Sequence, residues 1–227
     1  FEVAAPVEYY ENNASRDSIF NHAVSGANMV DFVGQAQNII AASALTPTGR
    51  AGMVTVLLGN NDVCAASISA MTDPAIYEAQ YRAGLDTLAS DNATRKAQIH
   101  VSSIPAIYWL WNSKRNDLWC RLIAWPFVPC ENLLDSPADD CASSVSRDDP
   151  DNVYAGDGTN CQRRKEFHRL IRDTYNPILR DVLAEYRASD ALPNARYTDL
   201  FSVRFDSVHI NGGDCFHPST AGHALFA

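Results

Sequence analysis

The run Asp214-Cys215-Phe216-His217-Pro218, close to the end of the sequence, holds the residue types for base catalysis at a spacing that lets them meet. A neutral imidazole near pH 7 takes a proton from an attacking hydroxyl, and a carboxylate on its other ring nitrogen fixes the tautomer. An i,i+3 separation puts both on a single turn. On spacing alone two readings stay open: the base half of a hydrolase triad, or a surface turn with a lone aspartate and a capping histidine.

Two further segments have shapes that chemistry uses. Gly59-Asn60-Asn61-Asp62 follows an apolar run, and an asparagine amide just past a buried strand can donate a hydrogen bond into a cleft. Such donors stabilise the oxyanion of acyl transfer, and losing one typically costs about 2.7–4 kcal/mol. Asp62 has the acceptors to brace that loop through backbone N–H groups. Ala23-Val24-Ser25-Gly26-Ala27-Asn28 sets a glycine among small residues ahead of a helix, where its backbone N–H can face an anion. Alone, each segment also reads as an ordinary turn.

These groups need a scaffold. Apolar residues at 29, 30, 33, 36, 40 and 44 predict a helix over 29–45, stopped by Thr46-Pro47-Thr48-Gly49. Residues 53–58, Met-Val-Thr-Val-Leu-Leu, predict a buried strand. Asp73-Pro74 opens a helix reaching about Leu88, and residues 97–102 predict a second strand. Residues 126–157, rich in Pro, Asp and Ser, read as a cross-linked loop region. A long helix over 164–187 carries the stripe Phe167, Leu170, Ile171, Ile178, Leu179, Val182, Leu183 and Tyr186, with Pro177 expected to kink or split it. A last strand is expected over 201–208. Strands alternating with helices imply an open α/β sheet with helices on both faces. Gly59–Asp62 and Asp214–His217 then follow strand C-termini, where such sheets place their sites.

Composition bounds the rest. The chain has 227 residues, 46% hydrophobic, with a formal net charge of −9. That argues against nucleic acid or an anionic membrane surface as the main partner. No apolar run reaches the roughly 18 residues needed to span a bilayer. Six cysteines, at 64, 120, 130, 141, 161 and 215, permit three disulfides and form neither a CxxC nor a zinc-ribbon pattern. Sequence-local partners are 120 with 130 and 141 with 161, leaving 64 with 215 to tie the two candidate loops together. With the sequons Asn13-Ala14-Ser15 and Asn92-Ala93-Thr94, the cysteines point to a secreted glycoprotein.

Together the three segments resemble the SGNH (GDSL-type) hydrolase family. Leu57-Leu58-Gly59-Asn60-Asn61-Asp62-Val63-Cys64 and Gly213-Asp214-Cys215-Phe216-His217-Pro218-Ser219 are similar to the corresponding blocks of phospholipase B-like lipases. The resemblance implies a three-layer α/β/α, flavodoxin-like sandwich. It implies His217 as general base on a serine, Asp214 as its orienting partner, and Asn61 with the Gly26 N–H as oxyanion donors. The serine's own N–H would be the third donor. It implies an acyl-enzyme, no cofactor and no metal. The expected activity is that of a secreted esterase or lipase on carboxylic esters, lipid esters among them. The alternatives are an inactive SGNH-like binding or structural protein and a carbohydrate acetyl esterase.

The nucleophile block departs from the pattern. Arg16-Asp17-Ser18-Ile19 imitates the family's Gly-Asp-Ser tetrapeptide, so Ser18 is the chain's own candidate. It lies only eight residues before Gly26, without room for the intervening helix, and residues 8–17 are largely polar. The chain therefore reads as one domain over residues 1–227 that lacks the family's first strand and nucleophile. Three explanations are open: a preceding segment or companion chain that carries the serine, a natural variant without it, or a serine recruited from elsewhere. The first is favoured, because an added strand would repair both sheet and triad. It also fits a chain that begins at Phe1.

Remaining residues have plainer expectations. His22 adjoins the glycine block, and His22, His100 and His168 read as structural; His209 and His223 lack an aspartate at the family spacing. The tryptophans at 109, 111, 119 and 125 suit either a core or a lipid-facing wall. Asp139, Asp140, Asp148, Asp149 and Asp151 show no EF-hand spacing and read as solvated loop charges.

Overall fold

The structure, a computed structural model, describes residues 20–135, 139–145 and 147–225. Three parallel strands form the sheet in the order β1 (Met53–Val56), β2 (Gln98–Ser102), β3 (Arg196–Thr198). Val54 is level with Ile99, and Val101 with Tyr197. β-Branched residues suit this pleated surface, and Val54, Val56, Ile99 and Val101 are all buried. Met53 and Thr55, on the other face of β1, are exposed. β1 lies at the edge of the sheet, and no described residue pairs with its outer side. Pairing ends at Val56, two residues before the end of the expected strand, and Leu57-Leu58 lead into the turn that follows.

The helices pack around this sheet, the α/β architecture expected from the sequence. After a 3-10 turn, Met29–Asp31, helix α1 runs Phe32–Ser43 and packs on α2 (Pro74–Ser90). The Asp73 carboxylate caps α2 by accepting the N–H groups of Ala75 and Ile76, and Pro74 occupies its first turn. Phe32 stacks on Tyr81 with ring centroids 6.2 Å apart, above buried Tyr77, Leu85 and Leu88. Further along the chain, α3 (Tyr108–Lys114) meets α4 (Thr159–Leu170), where the buried Arg164 guanidinium lies 4.5 Å from the Trp111 ring.

Two expectations change. The long helix starts earlier, at Thr159, and is not broken at Pro177. Residues Ile171–Tyr175 widen into a π turn, Asn176 donates to Ile171 O five residues back, and α5 continues over Asn176–Ala188. A wider turn before the proline lets the chain pass the missing N–H without a break. The strand expected over 201–208 is not formed; the third strand is Arg196–Thr198. The Ser103 hydroxyl is the physical reason. Its oxygen accepts the N–H groups of Leu200 (2.8 Å) and Phe201 (3.0 Å), which draws the chain out of the ladder after Thr198. Residues 201–206 do alternate between half-buried and exposed, but they do so against the rim of the core.

Candidate active site

The turn after β1 is built around Gly59. Its φ of +109° is open to glycine, and a Cβ there would sit 2.4 Å from the Tyr77 hydroxyl and 2.8 Å from Ile104 Cδ1. The sharp bend starts one helical turn, Asn60–Val63, directly at the C-terminal end of β1. Asn61 is half-buried and donates its Nδ2 to Ala27 O at 2.9 Å. Asp62 is buried; its Oδ2 accepts the Met29 N–H at 2.8 Å, and its Oδ1 accepts the Thr72 hydroxyl at 2.9 Å. Burial pushes the Asp62 carboxyl above its ordinary value, and those two bonds offset only part of the rise. Asn61 and Asp62 thus clamp the neighbouring Ser25–Met29 turn. In that turn Gly26, exposed and at φ +80°, takes the left-handed conformation glycine allows.

The second group sits on a closed loop. An antiparallel bridge pairs Ile210 with Pro218, and the loop base is fastened by Asn211 N to His217 O and Ser219 N to His209 O, both 2.9 Å. The Ser219 hydroxyl then accepts from Gly222 N and caps the last helix, α6 (Thr220–Ala224). Within the loop, His217 Nδ1 lies 2.9 Å from Asp214 Oδ2. Asp214 Oδ1 accepts the N–H groups of Phe216 (2.9 Å) and His217 (3.1 Å). Partial burial pushes the Asp214 carboxyl up, but the Phe216 N–H, the His217 ring and the His217 N–H outweigh it and hold the carboxyl below its ordinary range. With Nδ1 engaged by the carboxylate, Nε2 is the ring atom left to receive a proton. The carboxylate therefore orients the ring. His209 instead takes the capping role, its Nδ1 accepting the Asp206 N–H at 3.0 Å.

The segment 117–130 connects the two groups. The expected Cys141–Cys161 disulfide is present, but the other two pairings differ: Cys64 bonds Cys130, and Cys120 bonds Cys215. The two candidate loops are not stapled to each other directly. Each is stapled to one end of the Cys120–Cys130 segment, which spans between them. Sequence proximity misled here because residues 120–127 form a π turn and a 3-10 turn, and these separate the two cysteines instead of closing a hairpin. Two tryptophans reinforce the staple. Trp119 Nε1 donates to Gly213 O (3.2 Å) and Trp125 Nε1 donates to Cys215 O (3.1 Å), one on either side of Asp214. Cys215 itself holds φ +56°, uncommon for a residue with a side chain. Nothing in the sequence marked these indoles as loop anchors; they suited either a core or a lipid-facing wall.

A family model for GDSL-like lipases/acylhydrolases matches residues 4–227. The chain belongs to this family. No curated protein and no solved structure matches it.

Other residues of this GDSL-like hydrolase fall into place around the two groups. Phe216 and Pro218, on either side of His217, line a small apolar recess with Leu110, Phe205, His209 and Ile210. A larger polar cleft of about 420 Å³ shares Phe205 and includes Asn112, Arg115, Asp148, Arg204 and Ser207. Ser18 lies outside the described residues. His168 is structural, packed 4.7 Å from the Phe201 ring, and His100 lies within β2. Three carboxylates of the acidic loop are tied to arginines: Asp139 pairs with Arg147 and Arg115, Asp148 with Arg204, and Asp151 with Arg172. Cys141, Asp157 and Cys161 offer ligand atoms within 4.8 Å of one another. Both sulfurs are spent in their disulfide, and Lys165 Nζ holds Asp157 Oδ2 at 2.8 Å, so this cluster does not suit a cation.

Proposed function

We propose that the protein is a serine esterase or lipase cleaving carboxylic esters through an acyl-enzyme. The observation that carries the reading is the 2.9 Å contact between His217 Nδ1 and Asp214 Oδ2 in a chain of the GDSL-like family. In this reading His217 Nε2 removes the proton of a serine hydroxyl as the oxygen attacks the ester carbonyl, and Asp214 stabilises the imidazolium that forms. The Asn61 amide and the Gly26 N–H receive the oxyanion. His217 then returns its proton to the leaving alcohol. Water, deprotonated by the same ring, cleaves the acyl-enzyme.

The serine is supplied from outside the described residues, by a preceding segment or a companion chain. The outer edge of β1 supports this: no described residue pairs with it, and a parallel strand added there would satisfy its open N–H and C=O groups and end beside Gly59. Ser18 is the alternative within the chain. The test is labelling of the native protein with a fluorophosphonate, followed by mapping of the modified peptide. A label on a preceding segment or a tightly bound companion is the expected result. A label on Ser18 moves the nucleophile into this chain, and no label on folded protein leaves the inactive binding protein as the better reading.

The polar cleft of about 420 Å³ favours a second substrate class, an acetylated polysaccharide. The apolar recess beside His217 favours an acyl chain. Comparing turnover of acetylated xylan with that of medium-chain nitrophenyl esters decides between them.

A further inference from the structure

The segment between Cys120 and Cys130 has two very different faces. Its inner face is spent on anchoring: Cys120, Trp125 and Cys130 are buried and hold the two candidate loops through disulfides and an indole hydrogen bond. Its outer face is apolar and uncovered. Leu118 is 66% exposed, Trp119 53%, Leu122 58%, Ile123 47% and Phe127 85%. Positions 118, 119, 122 and 123 fall one turn apart in pairs and Phe127 follows in the next turn, so the five exposed residues are concentrated in one short segment. Five large apolar residues displayed together in this way mark an interaction surface, whereas single exposed residues do not.

The charge pattern selects the occupant. From Leu118 to Cys130 there is no acidic residue and only one basic one, Arg121, in a chain whose formal net charge is −9; Asp117 and Glu131 bracket the run. A second copy seated on this face would bring another −9 against the first. An anionic bilayer would meet the same repulsion. An uncharged or zwitterionic lipid surface opposes nothing here, and an aromatic, acid-poor helical face is the chemistry that settles into such an interface.

We propose that the face formed by Leu118, Trp119, Leu122, Ile123 and Phe127 seats the protein on a zwitterionic lipid–water interface, with His217 held at the margin of that surface. The coupling is covalent and close: Trp119 donates to Gly213 O, and Cys120 is bonded to Cys215, the two neighbours of Asp214 in the chain. Because the same short segment also holds the Asn61 turn through Cys130–Cys64, docking it would orient both halves of the site together. This rests on the esterase reading for its purpose, but adsorption itself does not require turnover.

The test is co-flotation of the native protein with phosphatidylcholine vesicles at physiological salt, together with the double variant Leu122→Ser/Phe127→Ser and the single variant Ile123→Lys. These side chains are on the surface and outside the proposed machinery, so turnover of a monomeric water-soluble ester should be unchanged. Expected results are binding of native protein to phosphatidylcholine with a blue shift of tryptophan emission, and at least tenfold weaker binding by both variants. Hydrolysis of aggregated lipid ester should fall to a similar degree. Absence of binding, equal binding by the variants, or binding only to anionic vesicles would overturn the proposal. So would sedimentation analysis in which the variants convert a dimer into monomer, since the face would then belong to a second copy. Vesicle binding without cleavage of any ester would sink the esterase reading and leave this one standing; ester cleavage without vesicle binding would do the reverse.

Discussion

Asp62 Oδ2 accepts the backbone N–H of Met29 at 2.8 Å, across 33 residues of sequence, while Oδ1 holds the Thr72 hydroxyl. One buried carboxylate therefore ties the turn after β1, the start of the Met29–Asp31 helical turn and the approach to α2 into a single unit. Asn61, its neighbour, points its amide at Ala27 O from the same turn. In the proposed mechanism this clamp would fix the spacing of the Gly26 N–H and the Asn61 amide.

The first prediction concerns the clamp. Asp62→Ala strands the buried Met29 N–H and deprives the half-buried Thr72 hydroxyl of its acceptor, which should cost about 1–3 kcal/mol of stability. Denaturant unfolding measures it. Burial raises the Asp62 carboxyl, so in the window above the ordinary carboxylate value the folded state binds more protons than the unfolded chain. Stability from this group accordingly falls as pH rises through that window. The variant should lose that slope.

The second prediction separates the roles of His217 and Asn61 in the complete enzyme. The His217 side chain is 65% exposed, so His217→Ala should leave the fold nearly untouched while removing turnover by several orders of magnitude. Asn61→Ala should lower kcat about 10²–10³-fold, the usual loss for one oxyanion donor. Its loss of the Ala27 bond should add a small stability change that His217→Ala lacks. Steady-state kinetics beside thermal unfolding check both. Near-normal kcat in either variant would remove that residue from the mechanism.

The contrast between these residues and the rest shows what was legible beforehand. Asp214 and His217 are three residues apart, and Gly59–Asp62 directly follows a β-branched run, so local spacing carried both groups. Asp73-Pro74 announced α2 for the same reason. Long-range features carried no such mark. Trp119 and Trp125 reach Gly213 O and Cys215 O across 94 and 90 residues, and no residue type encodes that partner. The cysteines followed the same rule: 141 and 161 pair across one loop, whereas 64–130 and 120–215 depend on where the Cys120–Phe127 turns lie in space. Phe201–Val208 has the alternation of a strand, yet Ser103 Oγ captures Leu200 and Phe201 first. A single hydroxyl on a neighbouring loop overrides the local pattern there.

The third prediction tests the buried ion pair beneath the acidic loop. Lys165 Nζ lies 2.8 Å from Asp157 Oδ2, both side chains are almost wholly buried, and the Asp157 carboxylate also accepts the N–H groups of Ala142 and Tyr154. Burial alone would raise the Asp157 carboxyl, but Lys165 and the two N–H groups hold it down to about 2. Lys165→Met leaves the carboxylate buried without its cation, at a cost of about 3–5 kcal/mol near pH 7. At pH 3 the freed carboxyl can protonate, so the deficit should shrink. An equal deficit at both pH values would show that Lys165 stabilises by packing rather than by charge.

The last prediction uses His168, which sits among aromatic rings: Phe201 at 4.7 Å, Tyr108 at 5.6 Å and Trp109 at 6.3 Å. Burial lowers its imidazole to about 4. The Asp151 carboxylate, 3.4 Å from Nε2, opposes that shift, and the Arg172 guanidinium reinforces it. Burial wins because Asp151 is itself half exposed and already engaged by Arg172. Below the ordinary histidine value of about 6.5 the unfolded chain takes up a proton that the folded chain refuses until about 4. Stability should therefore fall as pH drops through that interval, by an amount on the order of 3 kcal/mol from this group. His168→Phe keeps the ring in the same aromatic nest and removes the titration. The difference between the two proteins' unfolding free energies, followed from pH 7 to pH 4, should widen steadily in favour of the variant. A constant difference would mean that His168 titrates alike in the folded and unfolded chain, contrary to the burial argument, and a difference that moves the other way would mean that Asp151 holds the folded imidazole protonated.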